Sequence, residues 1–263
     1  MLFSPQKPSC SICGTKVPRI HVPVISRKLA TQWEIDSDWV RFFNEREGSL
    51  CLRCRNSRRS QYFSDCILRY ARATNLTDAT YLSHAVRMPR FARMAVAEIN
   101  SCGRMHSVLS RLPLLSYSEY VGGDALARSE DMMALSYRDN SFDIVLHSET
   151  LEHVPDTVKA LREIFRVLRP GGACIFTVPV VGDGRATRTR AVLDDGLLKH
   201  LLPPSFHGMP WGKKGDYLVF HEFGNDLIHT LSSVGFEAQL DRDTRNPALT
   251  CFTCCKPASE RSV

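Results

Sequence analysis

The 263 residues hold no uninterrupted apolar run of about eighteen residues, the length a bilayer demands of a helix, so no membrane-spanning helix is expected. Met1 to Ser9 lacks the basic-then-apolar order of a secretory leader. These two absences lead to the expectation of a cytoplasmic protein, in which thiols stay reduced. The ten cysteines then read as metal ligands and core residues rather than disulfides. Internal repeats and low-complexity tracts are also missing, which argues against a solenoid or a linker-rich chain. With 43% apolar and 24% charged residues, the composition is that of a folded protein, with disorder expected only after Pro257. The length suffices for one large α/β domain and a small module, and not for three ordinary domains.

Charge is present in excess but unevenly. Residues 1–95 carry 16 Lys/Arg against 7 Asp/Glu, and residues 96–263 carry 18 against 21. A basic front end suggests an anionic partner there, or simply a solvated basic face. Arg53, Arg55, Arg58 and Arg59 could grip phosphate or carboxylate groups. Few aromatics interleave with them, so nucleic-acid binding is only weakly indicated.

Cys10-Ser11-Ile12-Cys13 and Cys51-Leu52-Arg53-Cys54 form two CxxC pairs. Zn²⁺ takes four tetrahedral ligands, and two such pairs in a reducing compartment supply four thiolates. With all four positions filled by protein, the site would be structural rather than catalytic. Gly14 suits the turn after the first pair. A redox pair or four unlinked thiols are the alternatives, while the common iron–sulfur spacings differ. Trp33, Trp39, Phe42 and Phe43, between the pairs, could form a small core with the metal. Cys66, Cys102 and Cys174 read as core, and Cys251, Cys254 and Cys255 as part of a final strand rather than a second metal site.

From Gln61 to Arg93, apolar residues recur at helical spacing until Pro89 interrupts, which predicts a helical connector. Beyond Met94, short apolar runs alternate with amphipathic segments, the pattern of a mostly parallel sheet covered by helices. Phe142 to His147 reads as a buried strand. Val158, Leu161, Ile164, Phe165 and Leu168 share a helical face, Pro170-Gly171-Gly172 ends that helix, and Ala173 to Val178 is the next strand. A helix over Asn225 to Val234, stopped by Gly235, precedes strands at Phe236–Leu240 and Ala248–Cys254.

Three stretches then become specific: Asp139-Asn140-Ser141-Phe142-Asp143-Ile144-Val145, Leu151-Glu152-His153-Val154-Pro155-Asp156, and Arg166-Val167-Leu168-Arg169-Pro170-Gly171-Gly172. Their order and spacing resemble the core signature of class I, Rossmann-like S-adenosylmethionine-dependent methyltransferases, of the type 11 kind. The resemblance implies an α/β fold with a mostly parallel seven-stranded sheet and helices on both faces, behind a small N-terminal zinc-binding module. It divides the chain into a four-cysteine module (1–60), a helical connector (61–93) and a methyltransferase domain (94–257). Most of the chain, including Asn44-Glu45-Arg46-Glu47-Gly48, is similar to a group of bacterial methyltransferases that pair a CxxC module with this domain.

The same resemblance implies S-adenosylmethionine as cofactor. Glu98 matches the first-strand acid, and Asn100-Ser101-Cys102-Gly103 replaces the family's glycine-rich turn, with only Gly103 kept. Glu119, 21 residues after Glu98, fits the acid that accepts ribose hydroxyls. Asp131 and Met132 match the positions beside adenine, although a methionine could equally be core packing. His147 and Ser148 follow the fourth strand and would face the crevice beyond the sheet's carboxyl edge.

On the substrate side, the long segment Val181 to Phe223 carries Leu202-Pro203-Pro204-Ser205-Phe206-His207-Gly208 and Val219-Phe220-His221-Glu222-Phe223; connections of that length are usually functional or disordered. His207, His221 and His153 are the candidate bases, and each has a bland alternative as a structural or solvated histidine. Arg185, Arg188 and Arg190 could receive an acidic substrate. The implied reaction is methyl transfer to an oxygen or nitrogen of a small molecule or glycan. The competing expectations are a non-catalytic binding protein on a degenerate version of the fold, and an RNA-modifying enzyme.

Overall fold

The computed structural model describes residues 9–120, 127–181, 184–207 and 217–258. Its centre is a seven-stranded sheet: β1 (Val96–Ile99), β2 (Leu115–Glu119), β3 (Arg128–Ser129), β4 (Phe142–Ser148), β5 (Leu168–Thr177), β6 (Glu237–Arg242) and β7 (Thr250–Cys255). The spatial order is β6-β7-β5-β4-β1-β2-β3. Strands β1 to β5 pair in parallel, while β7 runs antiparallel to both β5 and β6. The order reverses between β1 and β4, which is the switch point where open α/β sheets bind ligands beyond their carboxyl ends. This is the Rossmann-like architecture expected of the sequence.

Side chains alternate between two cores because successive strand residues point to opposite faces. Val96, Ile144, Leu146, Ala173, Ile175 and Cys251 enter one cluster, and Ala97, Val145, Cys174, Phe176, Phe252 and Cys254 the other. The second face is covered by α4 (Thr157–Val167) and α5 (Leu227–Val234). Asp156 caps α4 by accepting the Lys159 amide at 2.9 Å, and Gly235 ends α5. The first face is covered by α3 (Arg58–Ala73), whose Phe63, Ile67, Leu68 and Ala71 are buried with the strands. Residues expected to connect thus form a layer of the sheet. Within Leu168–Thr177 the Pro170-Gly171-Gly172 step bulges out: Phe142 pairs with Leu168, yet Ile144 already pairs with Ala173.

The N-terminal region begins with two matching cysteine turns. In each, the amide of the fifth residue, four positions along, closes on the first cysteine's carbonyl: Gly14 to Cys10 and Arg55 to Cys51, both at 2.8 Å. In each, that fifth residue is left-handed, at φ 76° for Gly14 and 59° for Arg55. Gly14 also needs its missing side chain, since a Cβ there would meet the Tyr81 ring at 2.9 Å. A short hairpin, Arg19–His21 with Ser49–Cys51, joins the turns. Cys10 and Cys51 belong to the same core cluster as α3. The aromatic residues do not surround the cysteines as expected. Trp33, at the end of α1 (Arg27–Trp33), and Trp39 and Phe43, on α2 (Ser37–Gly48), cluster instead with Ala248, with Phe42 at the edge. Chain direction explains this: α1 and α2 lead away from the first cysteine turn and bring that cluster to the sheet's carboxyl edge.

Candidate cofactor crevice and histidine cavity

At the end of β1 the chain turns at Asn100, which is left-handed with φ 55°, a conformation asparagine tolerates. Glu98 is 0% exposed. It accepts the Cys102 amide at 2.8 Å and meets His106 Nδ1 at 2.6 Å, so it braces the turn from within. Asn100 Oδ1 accepts the Tyr120 amide at 3.1 Å. Glu119, at the end of β2, accepts the Ser101 amide at 3.2 Å and the Tyr117 hydroxyl. Gly103 has φ 63°, and a Cβ added to it would meet nothing within 4 Å. The loop therefore has open space where glycines were expected to provide it. Asp131 accepts the Met133 amide at 2.8 Å in a tight turn, and Met132 is buried with Ile99 and Leu135. Glu98, Asn100, Gly103 and Glu119 are thus gathered at one turn.

His147 and Ser148 diverge because they follow the strand's alternation. His147 is fully buried and stacks on Phe176, with ring centres 4.4 Å apart. Burial pulls its pKa down to about 3. Ser148 points to the other face, where it bonds Thr177 Oγ1 at 2.8 Å and accepts from Arg59.

Sequence reasoning missed how α2 reaches this edge. Arg46, 1% exposed, grips Glu149 with both nitrogens at 2.9 and 2.7 Å. Its neighbour Glu47 accepts from Arg46 and, at 2.9 and 3.1 Å, from Arg59. Burial raises the Glu149 pKa, but the Arg46 and Arg59 charges outweigh it and hold the carboxyl at about 2. A planar guanidinium matched to a carboxylate is the arrangement arginine makes best. The available signal was small: an acid, Glu149, at the end of a buried strand, in the left-handed position at φ 53°.

Next to this clamp lies a small, partly open cavity lined by Trp33, Phe43, Glu152, Pro179, Val181, Arg185, His207, Val219, His221, Glu222 and Phe223. The three candidate histidines converge here. His153 and His207 contact edge to face at 4.9 Å, and His207 also meets Trp33 at 5.5 Å. His153 Nδ1 donates to the Leu218 carbonyl at 2.9 Å. His221 is held by the Pro155 carbonyl at 3.2 Å and the Thr189 hydroxyl at 3.4 Å. Burial lowers all three pKa values, that of His207 to about 3, so each imidazole is neutral near pH 7. His153 comes from the short turn Leu151–His153 after β4, while two short strand pairs after Val181 deliver the others: Arg188–Thr189 with His221–Glu222, and Phe206–His207 with Tyr217–Leu218. Gly208 lies outside the described residues.

The arginines of this segment serve it internally rather than waiting for an acidic ligand. Arg188 pairs with Glu34 at 2.7 Å and Glu222 at 2.6 Å. Arg190 pairs with Glu222 at 2.5 Å and donates to the carbonyls of Pro203 and Gln32. Arg185 donates to the carbonyls of Trp33 and Glu34. Glu222 is fully engaged because two guanidiniums converge on it, which ties the segment to α1.

The four cysteine sulfurs lie within 4.8 Å of one another, with Cys10–Cys54 at 3.7 Å and Cys13–Cys51 at 3.9 Å. A tetrahedral zinc with bonds near 2.3 Å separates its sulfurs by about 3.8 Å, so the donor set fits that ion. No disulfide joins any of the ten cysteines.

With a Rossmann-like sheet and a braced turn at its switch point, the chain falls in the class of α/β proteins that bind ligands at the carboxyl edge. Comparison narrows this. Residues 105–176 match the methyltransferase domain family. A 47-residue stretch is 53% identical to demethylmenaquinone methyltransferase of Listeria welshimeri, covering 17% of this chain and 20% of that protein. Over 54 residues the chain is 37% identical to phosphoethanolamine N-methyltransferase 2 of Caenorhabditis elegans, covering 20% of this chain and 12% of that one. The matches thus span a fifth or less of these relatives' length. Among solved structures, an S-adenosylmethionine-dependent methyltransferase from Mesorhizobium loti aligns with a TM-score of 0.41 at 14% identity, over 62% of this chain and 90% of that one. The cyclase SpnF aligns with a TM-score of 0.44 at 16% identity, over 63% and 75%. Among the described residues, no helix is long and apolar enough to cross a membrane.

Proposed function

We propose that this chain is an S-adenosylmethionine-dependent methyltransferase acting on an oxygen or nitrogen of a small molecule or glycan. The observation that carries the reading is the braced turn after β1, where Glu98 holds the Asn100–Gly103 backbone and Glu119 stands beside it. The resemblance to class I methyltransferases puts the cofactor at this turn, which immediately precedes the matched residues 105–176. Glu119 would accept the ribose hydroxyls. Asp131 and Met132 would flank the adenine, and Asn100 and Gly103 would leave room for the backbone to approach the ligand. His147 would back the crevice from the core, and Ser148 would face it from beside Arg59. The bound cofactor supplies an activated methyl group.

The rest is alignment, since holding nucleophile and methyl at attack distance removes much of the barrier. The histidine cavity would hold the acceptor. Its neutral imidazoles, His207, His221 and His153, suit a group that takes a proton from an attacking hydroxyl or amine. We assign the four cysteines Cys10, Cys13, Cys51 and Cys54 a structural Zn²⁺, which suits a cytoplasmic, reducing location. Arg53 and Arg55, on the second cysteine turn, and Arg58, at the start of α3, would meet any anionic partner.

Calorimetry with S-adenosylmethionine and S-adenosylhomocysteine tests the reading: one site per chain is expected, weakened in Glu119→Ala. No binding at millimolar ligand would leave a non-catalytic binding protein. RNA affinity falling steeply with salt would instead favour the RNA-modifying alternative.

A further inference from the structure

Glu152 is 1% exposed, lines the cavity, and neither carboxyl oxygen has a hydrogen-bond partner. A buried carboxylate is costly unless a cation or donors meet it. Two imidazoles lie beside it. His153 Nε2 lies 3.7 Å from Glu152 Oε1, and one ligand atom each from Glu152, His153 and His207 all lie within 4.8 Å of one another. His153 is already oriented as a ligand would be: its Nδ1–H is spent on the Leu218 carbonyl, which leaves the Nε2 lone pair towards Glu152.

We propose that Glu152, His153 and His207 form a second metal site, for a divalent first-row transition ion, distinct from the four-cysteine cluster. Two imidazoles and one carboxylate are a donor set for zinc, iron or manganese rather than for magnesium or calcium, which prefer oxygen. At bond lengths of about 2.1 Å, ligand atoms of one tetrahedral ion sit about 3.4 Å apart. The Glu152–His153 separation of 3.7 Å is near that value, and no pair of the three ligand atoms is more than 4.8 Å apart, so an ion would draw them together by side-chain rotation. The two metal sites differ in kind. Four thiolates complete the coordination of one ion, whereas three protein ligands leave the other with open positions, and those positions face the cavity. Glu149 takes no part, because Arg46 and Arg59 neutralise it.

An oxygen-bearing acceptor, a hydroxyl or a carboxylate, is the ligand class such an ion would draw into the cavity, leaving His221 as the imidazole for proton uptake. That assignment rests on the methyltransferase reading; the metal site itself does not.

The test is metal content of the full chain, stripped and reloaded with Co²⁺, read by stoichiometry and visible absorption. Two ions per chain are expected: one with intense thiolate bands, the other with weak bands of nitrogen and oxygen ligation. Glu152→Gln and His207→Asn should each lose the second ion and keep the thiolate bands, which also report that the variant is folded. A wild-type protein that binds only the thiolate-ligated ion would overturn the site, as would a Glu152→Gln protein that keeps both. Two ions bound, with S-adenosylmethionine failing to bind, would leave the metal site standing and remove only the methyltransferase reading.

Discussion

At the β1–β2 end of the sheet's carboxyl edge, the candidate ligand-binding residues all come from one stretch, Glu98 to Met132. At the β4–β5 end they come from Trp33, Arg46, Glu149, Glu152, His207 and His221, spread over most of the chain. The first end is a local device: an acid, a turn and a second acid, held by bonds between residues 4 to 20 apart. The second is assembled by tertiary packing, with α1 and α2 tied across the edge through Arg46–Glu149, Arg188–Glu34 and Arg190–Gln32. Its shape therefore depends on the N-terminal region staying folded and docked, whereas the first end depends chiefly on the sheet.

The strongest way to break this contrast is to unmake the N-terminal region. Stripping the metal by chelation, or changing Cys10 and Cys51 together to Ser, should give the largest loss, since structural zinc supplies much of the folding free energy of small modules. Native mass spectrometry should show the ion gone, and hydrogen exchange should rise in residues 9–57 and around His207 while β1 and β4 stay protected. Next in size is Arg46→Ala. It strands a buried carboxylate at Glu149, so urea unfolding should show a loss of about 3–5 kcal/mol. Arg46→Met with Glu149→Leu should recover most of it, because both charges then go together.

A smaller, opposite cut tests the local end. Glu119→Ala should weaken S-adenosylhomocysteine binding by about ten- to a hundredfold, equivalent to about 1.5–3 kcal/mol for hydrogen bonds to a charged group. It should leave the metal content unchanged and lower stability by only about 1 kcal/mol, through loss of the Ser101 and Tyr117 hydrogen bonds. Asp156→Ala removes one cap of α4 and should cost about 1 kcal/mol, with no effect on either end.

Acid sharpens the comparison further. Glu149 titrates at about 2 in the folded chain, below the roughly 4.3 of an unfolded glutamate. Its contribution is thus complete above about pH 4.3 and is lost as pH falls towards 2. Stability measured across that window should fall less steeply in Glu149→Gln than in the wild-type chain.

How much of this was legible in the sequence follows the same division. The run from Asp139 to Gly172 announces its strand, helix and strand because each is a local pattern. Glu98 was named by the family resemblance, and Glu119 by its place 21 residues further on. The cysteine turns were likewise visible, each a five-residue motif. Arg46 was not, because nothing near it in sequence indicates that its partner lies 103 residues away. Arg188 and Arg190 misled for the same reason: they read as a receptive basic patch until Glu34 and Glu222 are brought beside them. The aromatic residues Trp33, Trp39 and Phe43 cluster with Ala248 rather than around the cysteines, a matter of chain direction that composition does not encode. The three histidines were legible as candidates but not as neighbours. Glu152 stood out in the sequence only as part of its signature stretch, and its burial without partners sets it apart.

The central claim is that the altered, glycine-poor turn still holds the cofactor, and a crystal structure with S-adenosylhomocysteine tests it most directly. The account predicts the ribose hydroxyls on Glu119, the adenine between Asp131 and Met132, and the ligand's sulfur directed towards the cavity of Glu152 and His207. A ligand bound elsewhere, or a crevice left empty at saturating ligand with Glu119 still on the Ser101 amide, would contradict it.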